Sequence, residues 1–159
     1  MPARGSRLRN RTRAREAALQ VLYQLDLRGT EILGELDALL RHLLAPMETD
    51  PSVTRFARDL VTGCWDHRAE LDQRIRQIAE NWDLDRMAVV DRSVLRMAAF
   101  ELLYVADVPP KVAINEAIDL AKRYSTADSG AFVNGILDKI LMDRDKASVP
   151  SDSEGHEQP

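Results

Sequence analysis

The sequence is poor in the residues that build covalent and metal-bound frameworks. Cys64 is the single cysteine among 159 residues, which excludes an internal disulfide framework and a cysteine metal cluster and is typical of a reducing cytoplasm. The three histidines, at positions 42, 67 and 156, lack the i, i+4 spacing of a helical metal pair. Glycine-rich phosphate loops and a nucleophilic serine elbow are missing as well. We therefore expect no metal, no cofactor and no enzymatic activity.

Long apolar runs are also missing. No stretch approaches the roughly 20 apolar residues that a membrane-spanning helix requires, and no apolar segment follows the basic N-terminus as it would in a secretory signal. The 7 prolines and 7 glycines mostly separate periodic segments rather than interrupt them. We expect a cytoplasmic protein that does not contact membranes.

Positive charge is concentrated at one end of the chain. Six arginines and no acidic residue lie in the first fifteen positions, so the other 144 residues carry 16 basic and 26 acidic side chains, a net charge of −10. Guanidinium groups bind phosphate oxygens in a fork geometry, and arginine-rich segments often become ordered on RNA. This pattern favours nucleic-acid binding. The alternatives are a solubilising tail and an arm that docks on its own acidic body.

Apolar residues recur at helical spacing along most of the chain, and strand-like alternation is absent. Leu84–Val105 carries two apolar stripes, which predicts a central helix buried on most sides. One long helix or two shorter ones fit residues 51–81, and we favour a break around Asp66–Arg68. The pattern predicts an all-α fold of about seven helices in two groups. It places a disordered basic arm at 1–11, a helical domain at 12–142 with subdomains of about 12–68 and 69–142, and a disordered polar tail at 143–159.

Two sets of side chains have open interpretations. Leu19, Tyr23 and Leu27 lie off the main apolar stripe of the first helix, as either a second core face or an exposed patch for a protein partner. Phe132 is most simply a core residue, although an aromatic ring near lysines and arginines can also stack on a base.

Three stretches together resemble the NusB transcription antitermination factors. They are RTRAREAALQVLYQLDL, WDLDRMAVVDRSVLRMAAFELLY and DVPPKVAINEAIDLAKRYSTADSGAFVNGILDKI, and the resemblance covers residues 11–141. It implies an all-helical, non-enzymatic protein of two perpendicular three-helix bundles. It also implies binding to the single-stranded boxA element of ribosomal RNA transcripts as a heterodimer with NusE, a small-subunit ribosomal protein. That complex joins other Nus factors on RNA polymerase.

The resemblance also implies roles for particular residues. Arginines of the arm would clamp RNA phosphates, the segment around Asp128 and Phe132 would contribute to the same face, and other positions would meet NusE. An aromatic residue expected near Ile78 is missing, so RNA contacts from that helix are in doubt. The implied RNA-binding residues are Arg11, Arg13, Arg15, Asp128 and Phe132, and the implied NusE-binding residues are Tyr23, Leu27 and Asp91.

Two other functions fit the same sequence. One is a protein-only helical adaptor whose basic arm is a mere tail. The other is a stand-alone relative of the NusB-like domain found in a ribosomal RNA cytosine methyltransferase.

Overall fold

The computed structural model describes residues 4–45, 50–79 and 84–147, with side chains from Leu8 onward. Seven α-helices account for most of these residues, and none of them lies in a β-strand. This confirms the predicted fold class. The helices are α1 (Arg4–Arg28), α2 (Leu36–Leu43), α3 (Pro51–Asp66), α4 (Arg68–Ile78), α5 (Val89–Tyr104), α6 (Pro110–Tyr124) and α7 (Ser129–Ala147), with short 3-10 helices at Thr30–Glu35 and Leu84–Arg86.

Helix α5 is the central element of the fold. It lies against α1, α3, α4, α6 and α7, and residues 93–95 and 97–102 are all buried. A helix with apolar stripes on two sides exposes apolar surface to water on both unless other helices cover it. It is therefore most stable when it is packed between neighbouring helices. The sequence prediction of a central buried helix is confirmed, although the α-helix itself begins at Val89 rather than at Leu84.

The helix is interrupted at His67, between α3 and α4, as the favoured interpretation predicted. The His67 backbone N–H donates to the Gly63 carbonyl at 3.0 Å, and His67 Nδ1 lies 2.8 Å from the same oxygen. At the other end of α3, Asp50 accepts a hydrogen bond from the Ser52 N–H at 3.0 Å, and Pro51 occupies the first turn. An N-terminal proline preceded by a capping carboxylate is a strong local start signal.

The N-terminal arm differs from the prediction. Helix α1 begins at Arg4 rather than near Thr12, so residues 4–11 are helical, and residues 1–3 lie outside the described part. Thr12 lies inside the helix, and its hydroxyl is 2.9 Å from the Leu8 carbonyl and within hydrogen-bond distance of Glu116 Oε1. A hydroxyl bonded to the carbonyl four residues earlier belongs to a helix interior.

The C-terminal boundary also differs from the prediction. Helix α7 continues past residue 142 to Ala147, and Arg144 Nη1 donates to the Leu102 carbonyl of α5 at 2.9 Å. That contact attaches the first residues of the predicted polar tail to the central helix. Residues 148–159 lie outside the described part of the chain.

Candidate nucleic-acid and partner interfaces

Arg15 is a buried residue rather than part of an exposed basic arm. Its side chain is 1% exposed, and it pairs with Glu101 of α5 and Glu116 of α6. Arg15 Nε and Nη2 lie 2.9 Å and 2.7 Å from Glu101 carboxylate oxygens, and Nη1 lies 3.1 Å from Glu116 Oε1. Because its donors are already used inside the protein, this arrangement argues against the predicted contact of Arg15 with an RNA phosphate.

Glu101 depends on Arg15 for its charge. Its side chain is 1% exposed, and this burial raises the pKa of Glu101, while the hydrogen bonds and positive charge of Arg15 oppose the rise. The two residues lie on α1 and α5, so the pair joins the N-terminal helix to the central one. Thr12 extends the same cluster through Glu116.

Arg11 lies at the edge of this cluster and is partly exposed. Its Nη2 is 3.0 Å from Asp107 Oδ2, and its guanidinium carbon is 4.4 Å from the centre of the Phe56 ring. Since the Asp107 side chain is 67% exposed, the ion pair contributes little to stability and can exchange for another anion. The arm does dock on its own acidic body, through Arg11 and Arg15.

Among the side chains that the structure describes near this end of α1, a different pair of arginines is freely exposed. Arg13 is exposed as the prediction required, and Arg9 is exposed as well. Residues four positions apart lie on the same face of a helix, so Arg9 and Arg13 form one basic stripe.

Phe132 lies in a groove between α4 and α7. The groove has a volume of about 680 Å³, and the half-buried ring shares it with Ile78 and the lysines Lys139 and Lys146. Asp128 is exposed in the turn before α7, where its backbone carbonyl accepts from the Phe132 N–H at 3.5 Å. The two predicted parts of the RNA site thus lie on different helices. Arg11 is on α1, where it contacts α3 and the α5–α6 turn, whereas Phe132 is on α7. The two lysines were not identified from the sequence.

An apolar depression lies farther along α1, between Glu16 and Gln24. It has a volume of about 380 Å³ and is lined by Leu19, Tyr23, Val90 and Tyr124 among others. Leu19 is buried, whereas Tyr23 and Leu27 are 39% and 58% exposed. The structure therefore divides this line of residues between the core and an exposed patch. The hydrogen bond from the Tyr124 hydroxyl to Glu16 at 2.5 Å raises the pKa of Tyr124 and fixes the ring at the edge of the depression.

Asp91 has one satisfied and one unsatisfied carboxylate oxygen. Its Oδ2 accepts a hydrogen bond from the Ser129 hydroxyl at 3.1 Å. Its Oδ1 is buried and has no hydrogen-bond partner within the described residues. Asp91 follows Val90, which lines the apolar depression. A buried acceptor without a donor is costly, and this oxygen lies beneath the surface rather than on the exposed patch of Tyr23 and Leu27.

The described ranges contain no group of histidine, cysteine and acidic residues able to hold a metal ion. Within the same ranges, every helix is too short or too polar to cross a lipid bilayer.

Comparison with known proteins identifies the family. The model of the NusB family matches residues 12–142. The chain belongs to the NusB family. A relative from Anaeromyxobacter dehalogenans, a transcription antitermination protein NusB, is 52% identical over 130 residues, covering 82% of this chain and 89% of the relative. Another from Symbiobacterium thermophilum, of the same name, is 47% identical over 136 residues, covering 83% and 89%.

Solved NusB structures have the same architecture. T. maritima NusB superposes with a TM-score of 0.74 and 41% identity, covering 83% of this chain and 90% of that one. A chain from a crystal structure of the antitermination factors NusB and NusE in complex with double-stranded RNA gives a TM-score of 0.71 and 31% identity, covering 84% and 97%.

Proposed function

We propose that this chain is a transcription antitermination factor that binds boxA RNA of ribosomal RNA transcripts as a heterodimer with NusE. In this role it joins RNA polymerase and other Nus factors, acts in the cytoplasm and carries no catalytic site. Membership of the NusB family carries the proposal, since the relatives are named as antitermination proteins and one similar chain occurs with NusE and RNA. The basic stripe on α1 supplies the chemistry that RNA binding needs.

The RNA phosphates contact Arg9, Arg11 and Arg13 in this proposal. Arg9 and Arg13 are exposed on one helix face, and Arg11 exchanges its surface ion pair with Asp107 for a phosphate. Arg15 has a different role: its buried pair with Glu101 holds this part of α1 against α5. Arg9 and Arg13 thus lie on one face of α1, whereas Arg11 and Arg15 lie on another face, which contacts the body of the protein.

The α4–α7 groove supplies base contacts in the proposal. Phe132 offers a half-buried ring on which a base can stack, and Lys139 and Lys146 supply positive charge along the same groove. Asp128, exposed in the turn before α7, accepts hydrogen bonds from base amino groups. Ile78 offers apolar contact where an aromatic residue was expected, so this side of the groove contributes less stacking.

NusE docks on the exposed patch of α1 in the proposal. Tyr23 and Leu27 supply exposed apolar surface, and the half-buried Asp91 lies next to Val90, which lines the neighbouring depression.

The test measures binding of a boxA oligonucleotide and a scrambled one by fluorescence anisotropy, with and without NusE, between 50 and 200 mM salt. We expect a preference for boxA that NusE strengthens. The double variant R9Q/R13Q removes two phosphate contacts, so the slope of log affinity against log salt becomes shallower by roughly 1.4. The matched control R68Q/R74Q makes the same change of charge on α4 and leaves the slope unchanged. Equal binding of both oligonucleotides, with NusE present, rejects RNA recognition and favours a protein-only adaptor.

A further inference from the structure

Three arginines converge on a second groove, between α2 and α3. Arg41 comes from the last turn of α2, and Arg55 and Arg58 lie three residues apart on the outer face of α3. The groove has a volume of about 500 Å³, and its other lining residues are Leu44, Pro51 and Thr54. None of the six lining residues is acidic. This concentration of positive charge stands on a body whose net charge is −10 without the N-terminal fifteen residues.

The arginines of this groove are only weakly engaged within the protein. Arg58 Nη1 is 3.5 Å from Asp37 Oδ1, and both side chains are about half exposed at 42% and 57%. Such a pair contributes little to stability and exchanges readily. Arg41 and Arg55 are exposed and have no ion pair with any residue of the described ranges. Three guanidinium groups around a concave surface form a site for an anion.

The lining chemistry matches a nucleic-acid strand. Thr54 adds a hydroxyl donor for a phosphate oxygen, and Leu44 and Pro51 form an apolar floor against which a ribose or base can pack. The groove also lies on the helix that contacts the basic arm, since the Arg11 guanidinium carbon is 4.4 Å from the centre of the Phe56 ring of α3. Helix α3 therefore carries both the contact of the basic arm and two of the groove arginines.

We propose that the α2–α3 groove is a second phosphate-binding site, which holds the RNA backbone outside the boxA core. The inference rests on the proposed function, because it continues the path of the same RNA strand from Arg11 along α3. Arg41, Arg55 and Arg58 bind phosphates of the flanking nucleotides, independently of their sequence. The contribution is one of affinity and strand path rather than of base recognition.

The test compares two single-stranded RNAs, the boxA core alone and the same core with flanks of scrambled sequence on both sides. Wild-type protein with NusE is expected to bind the flanked RNA more tightly. The double variant R41Q/R55Q removes two phosphate contacts, so its affinity for the flanked RNA falls less with salt. When the salt rises from 50 to 200 mM, the factor by which the variant's affinity for the flanked RNA falls is roughly sevenfold smaller than the factor for the wild type. Its affinity for the core is unchanged, and so is that of R68Q/R74Q, the charge-matched control on α4, for both RNAs.

A second measurement locates the contact directly. With 4-thiouridine in the flank, ultraviolet light is expected to crosslink the wild-type protein within the first turns of α3, and this crosslink is lost in R41Q/R55Q. Thermal unfolding followed by circular dichroism checks that the variants are folded.

The outcomes separate this site from the function on which it rests. Equal binding of core and flanked RNA by the wild type, with boxA preference retained, overturns the groove proposal and leaves the proposed function intact. Equal weakening by R41Q/R55Q and R68Q/R74Q also overturns it, since bulk charge then accounts for the effect. Failure to prefer the boxA core over a scrambled core overturns both.

Discussion

Replacing Arg15 with methionine tests whether this arginine holds the fold or binds RNA. The Arg15 and Glu101 side chains are each 1% exposed, and three hydrogen bonds of 2.7 to 3.0 Å join them. Removing one partner of a buried ion pair leaves an uncompensated charge, which costs about 3–5 kcal/mol in the free energy of unfolding. For a chain of this size, that corresponds to a fall in Tm of roughly 6–20 °C.

The pH dependence of this loss has a definite sign. Burial already raises the pKa of Glu101, and removing Arg15 raises it further. A carboxyl group with a raised pKa in the folded state contributes most to stability when it is protonated in both states, and that contribution is lost as the pH rises through its folded pKa. The destabilisation of R15M relative to the wild type is therefore expected to shrink as the pH falls from 7 towards the ordinary pKa of glutamate. Urea unfolding at pH 7 and pH 5, followed by circular dichroism, measures it.

Arg13 supplies the matched control, since it lies two residues away and is exposed. R13M is expected to change the free energy of unfolding by less than about 0.5 kcal/mol and to make the salt dependence of RNA binding shallower. R15M is expected to do the reverse. A cost below about 1 kcal/mol for R15M, or a shallower salt dependence in that variant at a temperature where it is folded, refutes the structural role of Arg15.

Two further predictions concern the core around α3. A Cβ added at Gly63 would lie 2.1 Å from Phe100 Cζ, so G63A is expected to lower the free energy of unfolding by about 1–3 kcal/mol. Gly34 has open space around it, so G34A carries no such penalty. Urea unfolding compares the two variants, and equal values would contradict the close approach of α3 and α5. Burial raises the pKa of the Cys64 thiol to about 12. The thiol is therefore expected to resist a thiol reagent at pH 8 and to react once urea unfolds the chain. Rapid labelling without urea would disprove its burial.

The helices were predictable from sequence because their signals are local. Apolar spacing and the Asp50–Pro51 start signal depend on a few neighbouring residues, and the structure places α3 where they indicate. The start of α1 was not predictable in the same way. Thr12 has the side chain of a helix cap, but its hydroxyl bonds to Leu8 and to Glu116, which is 104 positions away. A distant contact decided between the two uses of that hydroxyl.

Burial of the charged pair left a trace in the sequence that pattern reasoning passed over. Arg15 lies three residues before Ala18 and seven before Leu22, within the apolar stripe of α1, and Glu101 lies four residues after Met97 within a stripe of α5. Two opposite charges on apolar stripes of different helices indicate a buried pair. The sequence alone cannot show that they meet across 86 positions, and the α4–α7 and α2–α3 grooves also depend on such long-range packing.

The continuity of α1 sets a distance. Arg13 and Tyr23 are ten residues apart on this one uninterrupted helix, so their positions are separated by about 15 Å along its axis. The proposed RNA stripe and the proposed NusE patch are therefore carried by the same helix. In the proposed complex, the length of α1 therefore sets the spacing between the bound transcript and the ribosomal protein.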